Sequence, residues 1–583
     1  MKNLPLNKKS SFSNIIKENL LYADKTQYIY EMINRYDFCF LARPRRFGKT
    51  LLLDTLEQLF QGNKDFFRGL WIDPDTTQET QNLSLLSAQY NQSNYDFKKH
   101  PVIRLDMSSE VGEGPIELKQ RIMRKLKTVA NEERVNFGSN IFSDALENLF
   151  DGLSAKYDGA LTVVLVDEYD APVSINIDNQ DIAKANSDVL HDFYGTLKQF
   201  EKKIRFSFVT GITRFVLTTM DSGPNMFKDI SLNRDFAGIC GFTISEFDAL
   251  FGDRMESVLT ELIDIGEMDY RSSVADLRKE ILDWFDGYNW LGKERILNPY
   301  SILNFFDNRE FRSYWPLSGR PKHLSTLIQQ RPMDFITPHL SNYTEGDLTI
   351  SELNWFESAP ILFHSGYLTI DKKKIVREID AHGKIIKYAI YSLKVPNAEI
   401  SKYYDDFCYR TIFGSYYRQI EGLGPDLLRS FSEKNSENIT VIIDTLFANL
   451  TYWQNLANER HYHSVLQASF LAAGLNVDSE KAGRDGRSDL IVKLADNRYV
   501  IIEVKYLPNV EEANEEQTLA EALDAALARI VNKDYSGPFR IMRPREIIGL
   551  GIVFYKNSKV RGKFWEGPDF SSISPFSGGD SSS

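Results

Sequence analysis

Three consecutive residues near the N-terminus, Gly48-Lys49-Thr50, combine the residue types that bind a nucleotide phosphate. A glycine lets the backbone approach a phosphate, the lysine ammonium can reach the β- and γ-phosphates, and the threonine hydroxyl can hold Mg²⁺. An apolar run at 38–41 precedes the triplet and leucines at helical spacing follow it, which predicts the strand, turn and helix of a phosphate-binding loop. Arg43 stands where the usual motif has its first glycine, and a lone Gly-Lys-Thr also arises by chance. The triplet therefore needs a second motif.

That second motif is a run of six apolar or β-branched residues at 161–166, followed directly by Asp167 and Glu168. Such a run predicts a parallel strand buried on both faces, which presents the two carboxylates at the sheet edge where α/β proteins bind ligands. Asp167 can coordinate Mg²⁺, and Glu168 can orient or deprotonate an attacking water. A strand followed by an acidic loop is common. Its occurrence after a Gly-Lys-Thr turn in one domain nevertheless favours binding of ATP with Mg²⁺.

Another chemically capable set, Asp489, Glu503 and Lys505, lies near the C-terminus. Glu503 and Lys505 are two residues apart in an apolar run, so in a strand they share one face, and Asp489 begins the neighbouring strand of the same hairpin. The carboxylates can hold one or two Mg²⁺ ions, with Mn²⁺ as the alternative, while Lys505 orients or helps to deprotonate a water. Oxygen ligands without a Cys or His cluster disfavour Zn²⁺. This pattern predicts hydrolysis of a phosphodiester.

The elements that must position these residues divide the chain into several domains. Residues 1–245 read as strands separated by helices, with a fifth strand at 236–241, which predicts an α/β three-layer sandwich. Residues 246–440 are predicted to be a helical lid and a winged-helix-like linker around a charged hairpin at 371–386. Residues 441–560 read as a second α/β domain. The Ser- and Gly-rich residues 561–583 are expected to be a disordered tail.

Composition restricts the partners and the compartment. The net charge of −12 excludes a uniformly basic nucleic-acid coat, although Arg43, Arg45, Arg46 and the basic helix at 119–127 could form local basic surfaces. The three cysteines are widely spaced and too few for a disulfide framework. No apolar run approaches the roughly 20 residues that span a bilayer. We therefore expect a soluble cytoplasmic protein without a membrane partner, and the oligomeric state stays open, a homo-oligomer included.

Four segments together carry a resemblance to a known family: Leu-Tyr-Ala-Asp-Lys-Thr at 21–26, Arg-Pro-Arg-Arg-Phe-Gly-Lys-Thr at 43–50, Val-Asp-Glu-Tyr-Asp-Ala-Pro at 166–172, and Phe-Val-Thr-Gly-Ile-Thr-Arg-Phe at 208–215. They resemble the bacterial AAA-ATPase-like family, whose loop also begins with Arg-Pro-Arg-Arg. The resemblance implies that Lys49 and Thr50 contact phosphate and Mg²⁺, that Arg46 and Gly48 belong to the same cofactor-binding loop, and that Asp167 and Glu168 form the Walker B pair. Thr213 and Arg214 could sense the γ-phosphate or could equally cap the next helix.

The C-terminal order of helix, strand, Gly-Arg-x-Asp, strand and Glu-x-Lys closely resembles the PD-(D/E)xK nuclease superfamily, as far as about residue 555. The resemblance implies a restriction-endonuclease-like fold in which Asp489, Glu503 and Lys505 are catalytic. It also implies that Glu459 joins Asp489 and Glu503 as a metal ligand.

Three further positions of that domain have open roles. His463 is expected to support the fold or the outer shell of the metal rather than to bind it. Arg529 occupies a helix position where relatives often carry glutamine. Arg484 and Arg487 could contact phosphate or could simply be solvated on a glycine-rich turn.

The sequence thus predicts an ATP-binding and ATP-hydrolysing protein whose nucleotide cycle regulates a Mg²⁺-dependent nuclease, with DNA favoured over RNA. The alternative is a nucleotide-gated interaction switch in which the nuclease-like fold only binds nucleic acid or a partner protein. A front domain that binds ATP but barely hydrolyses it is a third reading.

Overall fold

A computed structural model describes residues 2–6, 11–75, 93–108, 113–176, 179–214, 226–315, 322–348, 358–379, 384–448, 459–479, 489–532, 543–556 and 559–567. The chain divides into two compact units. The first comprises Met1–Thr326 and Pro338–Tyr404, and the second comprises Leu327–Thr337 and Asp405–Ser583. Within the described ranges, no helix is both long and apolar enough to cross a membrane.

The first unit contains a five-stranded, all-parallel sheet in the order β2-β3-β4-β1-β5. Its strands are β1 (Phe38–Ala42), β2 (Val102–Asp106), β3 (Thr162–Asp167), β4 (Ile204–Gly211) and β5 (Lys228–Asp229). Every residue of β3 is buried, as the apolar run at 161–166 predicted for a strand covered on both faces. Because the strands are parallel, their carboxyl ends meet at one edge of the sheet.

The helices of this α/β region are Phe12–Lys17, Thr26–Arg35, Lys49–Phe60, Pro115–Glu133, Phe142–Lys156, Ala171–Ser174 and Gln180–Gln199. Side chains of Thr26–Arg35 and Lys49–Phe60 share one buried core with alternate residues of β1, β3 and β4. The opposite face of the sheet meets other elements, for example where the ring of Phe40 packs 5.2 Å from that of Tyr169. Burial on both faces leaves only the strand ends available for a site.

The prediction of a strand at 236–241 is wrong. The fifth strand is β5, and Arg234–Phe236 forms a short 3₁₀ turn. Phe236, Ile239 and Cys240 are buried in the core as parts of this irregular segment, and Gly241 N–H donates to Phe47 O at 3.0 Å. A run of apolar residues indicates that a segment is buried. Residues 236–241 are buried in an irregular turn rather than in a strand.

The rest of the first unit is mainly helical. Its helices are Ile244–Phe251, Met255–Asp264, Val274–Phe285, Pro299–Asn308 and Ser358–Ser365, with Lys322–Gln330 and Ala398–Phe413 at its borders with the second unit. Asn298 caps Pro299–Asn308 by accepting hydrogen bonds from Tyr300 N and Ser301 N, and Pro299 suits the first turn because it needs no N–H donor there. The strand pair β6 (Phe242–Thr243) and β7 (Ile296–Leu297) and the antiparallel hairpin β8 (Thr369–Ile379) and β9 (Ile385–Lys394) complete the unit. The hairpin agrees with the charged stretch predicted at 371–386, while a winged-helix arrangement around it stays a prediction.

The second unit contains a mixed sheet in the order β10-β11-β12-β13-β14. The strands are β10 (Asn476–Ser479), β11 (Leu490–Lys493), β12 (Arg498–Leu507), β13 (Glu546–Tyr555) and β14 (Lys559–Phe564); only β12 and β13 are parallel to each other. The helices are Pro332–Ile336, Tyr417–Glu421, Gly424–Ser432, Ser436–Ala448, Glu459–Ala472 and Glu515–Asn532. The last of these packs Leu527 and Ile530 against Ile501 of β12, so it covers the sheet face to which Glu503 also belongs.

Candidate functional sites

Residues 43–48, called the nucleotide loop below, join β1 to the helix Lys49–Phe60. Gly48 has φ +92°, a conformation that a side chain would strain, and it lets the chain turn directly into the helix. Lys49 Nζ lies under the loop and donates hydrogen bonds to Arg43 O at 2.9 Å and Pro44 O at 3.0 Å. Burial lowers the pKa of the Lys49 ammonium, and the negative charge of Asp167 offsets only part of this effect. A phosphate placed beside this buried cation would offset its desolvation.

The two nucleotide motifs meet at the end of β3. Thr50 Oγ1 donates a hydrogen bond to Asp167 Oδ2 at 2.8 Å, so the hydroxyl and carboxylate predicted to hold Mg²⁺ are in direct contact. Burial raises the pKa of Asp167, while the Thr50 hydroxyl and the Lys49 ammonium lower it. Glu168 is exposed and adopts φ +49°, which is uncommon for a residue with a side chain. The backbone turn therefore directs Glu168 away from the core.

The arginines of the loop have different environments. Arg46 is exposed, and its guanidinium lies 5.0 Å from the ring centre of Tyr300. Arg43 is only 1% exposed and donates to Ala42 O at 2.9 Å and to Ser231 O at 2.8 Å. Burial lowers the pKa of Arg43 to about 10. The prediction that Arg43 contributes to a basic surface is therefore wrong, because its guanidinium bridges backbone carbonyls inside the fold.

Asp170, to which no separate role was assigned from sequence, holds the end of β4. Its Oδ2 accepts hydrogen bonds from Thr213 N and Thr213 Oγ1, both at 2.7 Å. Arg214 Nε donates to Asp229 Oδ2 at 2.5 Å. Thr213 and Arg214 thus have protein partners, and whether they cap a following helix lies outside the described residues, which stop at 214 and resume at 226.

A largely apolar pocket of about 100 Å³ adjoins Gly48. Lys25 is its charged lining residue, and Lys25 Nζ is already bonded to Glu246 at 2.6 Å and to Gly238 O at 2.8 Å. Other residues that line the pocket are Leu21, Tyr22, Leu51, Leu52, Ile239 and Phe242. Its apolar walls suit a flat aromatic group.

In the second unit, strand pairing brings the predicted acidic residues together. Leu490 of β11 lies opposite Ile502 of β12, so Asp489 and Glu503 occupy the next position of the same ladder and share a face. Asp489 Oδ2 accepts a hydrogen bond from Val504 N at 2.8 Å. Burial raises the pKa of Asp489 against this hydrogen bond and the positive charges nearby. Backbone pairing therefore places Asp489, just before β11, beside Glu503 in the middle of β12.

Glu503 is fully buried at 0% exposure, yet neither of its carboxylate oxygens accepts a well-aligned hydrogen bond from the described residues. Two cations lie near its Oε1, with Arg529 Nη1 at 2.7 Å and Lys505 Nζ at 3.5 Å. Burial and the neighbouring Asp489 raise the pKa of Glu503 to about 7, against the opposing effect of these cations. A buried carboxylate with unsatisfied oxygens is suited to a divalent cation.

Glu459, the third predicted metal ligand, lies at the start of the helix Glu459–Ala472. Its Oε1 is 3.3 Å from Lys505 Nζ, so the lysine ammonium contacts both Glu459 and Glu503. Among the residues that the structure describes, no three acidic, histidine or cysteine side chains gather as a metal-binding group. Metal binding by Glu459 stays a prediction.

Two of the residues with open roles have defined contacts. His463 Nε2 lies 2.7 Å from Asp489 O, which agrees with a supporting role for this histidine. Arg529, whose role the sequence left open, forms the ion pair with Glu503. Arg484 and Arg487 lie outside the described residues.

These folds define the class: an α/β protein with a phosphate-binding loop on a parallel sheet and a paired-carboxylate site on a separate mixed sheet. Comparison with family models agrees with both parts. Residues 9–221 match the predicted AAA-ATPase family, and residues 457–564 match the PD-(D/E)XK nuclease superfamily. The first match covers the segment from the Gly-Lys-Thr loop through β4, and the second covers the mixed sheet from β10 to β14.

The chain is also similar to an uncharacterized protein in the vnfD 5′ region of Azotobacter chroococcum mcd 1. The two are 29% identical over 562 residues, which cover 93% of this chain and 94% of that protein. The similarity therefore extends through the middle region as well as through both domains.

Proposed function

We propose that the first unit binds and hydrolyses ATP and that the second unit hydrolyses phosphodiester bonds in nucleic acid, with DNA favoured over RNA as the substrate. The nucleotide cycle of the first unit controls this cleavage. The observation that carries the nuclease assignment is the meeting of Asp489, Glu503 and Lys505 at neighbouring strand positions. A divalent cation fits this site because neither oxygen of the fully buried Glu503 accepts a well-aligned hydrogen bond from the described residues.

Each residue of the nuclease site has a distinct task. Asp489 and Glu503 would hold Mg²⁺ or Mn²⁺, and Glu459 is the proposed additional ligand. The bound cation would supply Lewis-acid stabilisation of charge on the phosphate. Lys505, 3.5 Å from Glu503 and 3.3 Å from Glu459, orients the attacking water and offsets negative charge.

The ATP site has a corresponding division of labour. Lys49 contacts the phosphates, Thr50 and Asp167 hold Mg²⁺, and Glu168 orients the hydrolytic water. Gly48 provides the backbone approach, and Arg46 gives the exposed rim of the loop a positive charge. The apolar pocket beside Gly48 takes the base of the nucleotide.

Between these activities, residues 246–440 would act as a lid and relay, with the β8–β9 hairpin as part of a winged-helix-like unit. The helices and hairpin of this region are ordered elements that a nucleotide-dependent change could reposition. Limited proteolysis at sites within 246–440 tests this role, and a cleavage pattern that ATP leaves unchanged would contradict it.

One observation favours the alternative function, a nucleotide-gated switch that binds nucleic acid or a partner without cutting. The ion pair between Arg529 and Glu503 at 2.7 Å compensates the buried carboxylate without a metal. Under that alternative, removing Lys505 would leave the biological activity intact.

Cleavage assays on substituted proteins separate the two functions. Purified wild type with Mg²⁺ and ATP is incubated with single- and double-stranded DNA and RNA, beside K505A and the control K493A. Lys493 is an exposed lysine of the same sheet, at the end of β11. We expect K505A to lose at least about 100-fold in rate and K493A to keep the wild-type rate. Absence of cleavage of every substrate by the wild type would favour the switch.

A further inference from the structure

The β8–β9 hairpin is anchored firmly at its base. Thr369 and Leu393 are buried, Asn289 N–H donates to Thr369 Oγ1 at 2.8 Å, and Leu393 N–H donates to Leu340 O at 2.7 Å. Because these bonds tie both strands to the first unit, the orientation of the base is set by the fold.

Beyond its base, the hairpin is an exposed arm. The strands pair without interruption from Lys372 opposite Ser392 to Ile379 opposite Ile385, a span of roughly 25 Å at ~3.4 Å per residue. Apart from the buried Tyr391, residues of both faces are exposed or half-buried along this span. An arm with two exposed faces contributes little to a hydrophobic core.

One face of the arm combines cations with exposed isoleucines. Residues directly opposite each other share a face, and alternate residues along each strand do so too. Beyond Tyr391, which is buried at the base and contacts the Lys373 ammonium through its ring, this basic face consists of Lys373, Ile375, Arg377, Ile379, Ile385, Lys387 and Ala389. The three isoleucines are 55%, 73% and 61% exposed in chain order. Glu378 lies on the other face, where its carboxylate accepts a hydrogen bond from Tyr388 at 2.8 Å.

The basic face lacks internal charge compensation. Arg377 lies directly opposite Lys387, and such a like-charged pair destabilises a hairpin. Within the described residues, no acidic side chain forms an ion pair with Lys373, Arg377 or Lys387. The segment 369–394 has seven lysine or arginine residues and three acidic ones, in a chain whose net charge is −12. An external polyanion would relieve the repulsion.

We propose that the basic face of the arm binds duplex nucleic acid. A two-stranded β-ribbon fits a DNA groove, lysine and arginine neutralise the flanking phosphates, and exposed isoleucines can contact the groove or wedge between base steps. The proposal rests on the proposed nuclease function for its choice of partner. It assigns that function a substrate contact outside the carboxylate site.

The test measures binding without cleavage. The fluorescence anisotropy of a labelled 25-base-pair DNA duplex is measured as the full chain is added, in EDTA and at several salt concentrations. The proteins compared are wild type, R377Q/K387Q and K372Q/K374Q. The control pair removes the same charge from the opposite face of the same arm. Circular dichroism and thermal unfolding check that each variant is folded.

We expect R377Q/K387Q to weaken binding at least about tenfold at 0.1 M salt and to reduce the slope of log K against log salt by about two. K372Q/K374Q should keep at least half of the wild-type affinity. Equal losses in both variants, or no loss in either, would overturn the assignment. Co-sedimentation with phosphatidylserine vesicles is measured on the same variants, and a loss of vesicle binding without a loss of DNA binding would also overturn the assignment. Failure of the nuclease function would instead appear as normal, arm-dependent binding without cleavage when Mg²⁺ is restored.

Discussion

At the scale of single residues, the two sites bury charges of opposite sign. Burial lowers the pKa of the Lys49 ammonium at the nucleotide loop, whereas burial and Asp489 raise the pKa of the Glu503 carboxylate to about 7. Each charge is stabilised by a ligand of the opposite sign. The expected ligands are phosphate for Lys49 and a divalent cation for Glu503.

Replacing Lys49 tests the first of these pairs. We expect K49A to weaken ATP binding by about 10- to 100-fold, because a charge-assisted contact contributes about 1.5–3 kcal/mol. Isothermal titration with a non-hydrolysable ATP analogue measures the change. K127A, which removes an exposed lysine from Pro115–Glu133, is the control and should bind as wild type. Equal affinity in K49A and wild type would contradict the assignment.

Glu503 predicts a pH dependence of stability. Its folded-state pKa of about 7 exceeds the ordinary 4.5, so the folded protein binds the proton more tightly than the unfolded chain. The free energy of unfolding should therefore fall as pH rises from about 4.5 to about 7, by at most about 3 kcal/mol. E503Q should lack this component in thermal or denaturant unfolding. The same dependence in E503Q would contradict the burial of a charged group at this position.

The same variant gives a readout of metal binding that is independent of cleavage. At pH 8, Mg²⁺ or Mn²⁺ should raise the melting temperature of wild type, because the cation binds only the folded carboxylate pair. The rise should disappear in E503Q. Equal stabilisation of both proteins would place the metal elsewhere.

At the scale of secondary-structure elements, close packing at strand ends positions the nucleotide site. A Cβ on Gly211, the last residue of β4, would lie 2.4 Å from Asp170 Oδ1 and 2.5 Å from Cδ1 of the buried Tyr169 ring. The missing side chain therefore allows Asp170 to reach the backbone and hydroxyl of Thr213.

We expect G211A to destabilise the first unit by about 1–3 kcal/mol, because Tyr169 and Asp170 must move. G195A is the matched control. Gly195 lies inside the helix Gln180–Gln199, and a Cβ added there would meet no atom within 4 Å, so alanine should stabilise the helix by up to about 1 kcal/mol. Urea unfolding measures both changes, and equal stability of the two variants would contradict the packing argument.

Elements with a strict pattern were predictable from sequence. The buried run before Asp167 and the two-residue spacing of Glu503 and Lys505 follow directly from strand geometry, and both strands form as expected. β14 was not predicted, and the expectation of a disordered tail from residue 561 is wrong for 561–564. Lys559–Phe564 contains a central glycine and three basic residues that weaken the strand pattern. The segment 236–241 was wrongly predicted to be a strand, because its apolar residues are buried in a turn.

The contacts of individual long side chains were harder to predict. Arg43 belongs to a motif full of arginines, and only the folded chain shows that its guanidinium, unlike that of Arg46, turns inward to Ala42 and Ser231 carbonyls. The helix carrying Arg529 was predicted, but its contact with Glu503 depends on how that helix packs on β12. Sequence periodicity specifies a face of an element and leaves the packing partner undetermined.

At the scale of the whole molecule, one chain would combine ATP hydrolysis with phosphodiester cleavage. E168Q should still bind ATP but hydrolyse it at least about 100-fold more slowly, because Glu168 is proposed to orient the hydrolytic water. Phosphate release and DNA cleavage are measured on the same samples, with and without ATP. The cleavage rate of wild type should change on adding ATP, and that of K49A should not. An equal response to ATP in wild type and K49A would contradict the coupling.

The DNA cleavage rate of D489A, measured with its ATPase rate in the same preparation, decides whether the paired carboxylates are the catalytic site. Asp489 and Glu503 are proposed to hold the catalytic cation, and loss of groups that merely support a metal ligand already costs about 10–100-fold. We predict that D489A loses at least about 100-fold in cleavage and keeps the wild-type ATPase rate. Cleavage by D489A at the wild-type rate would contradict the account.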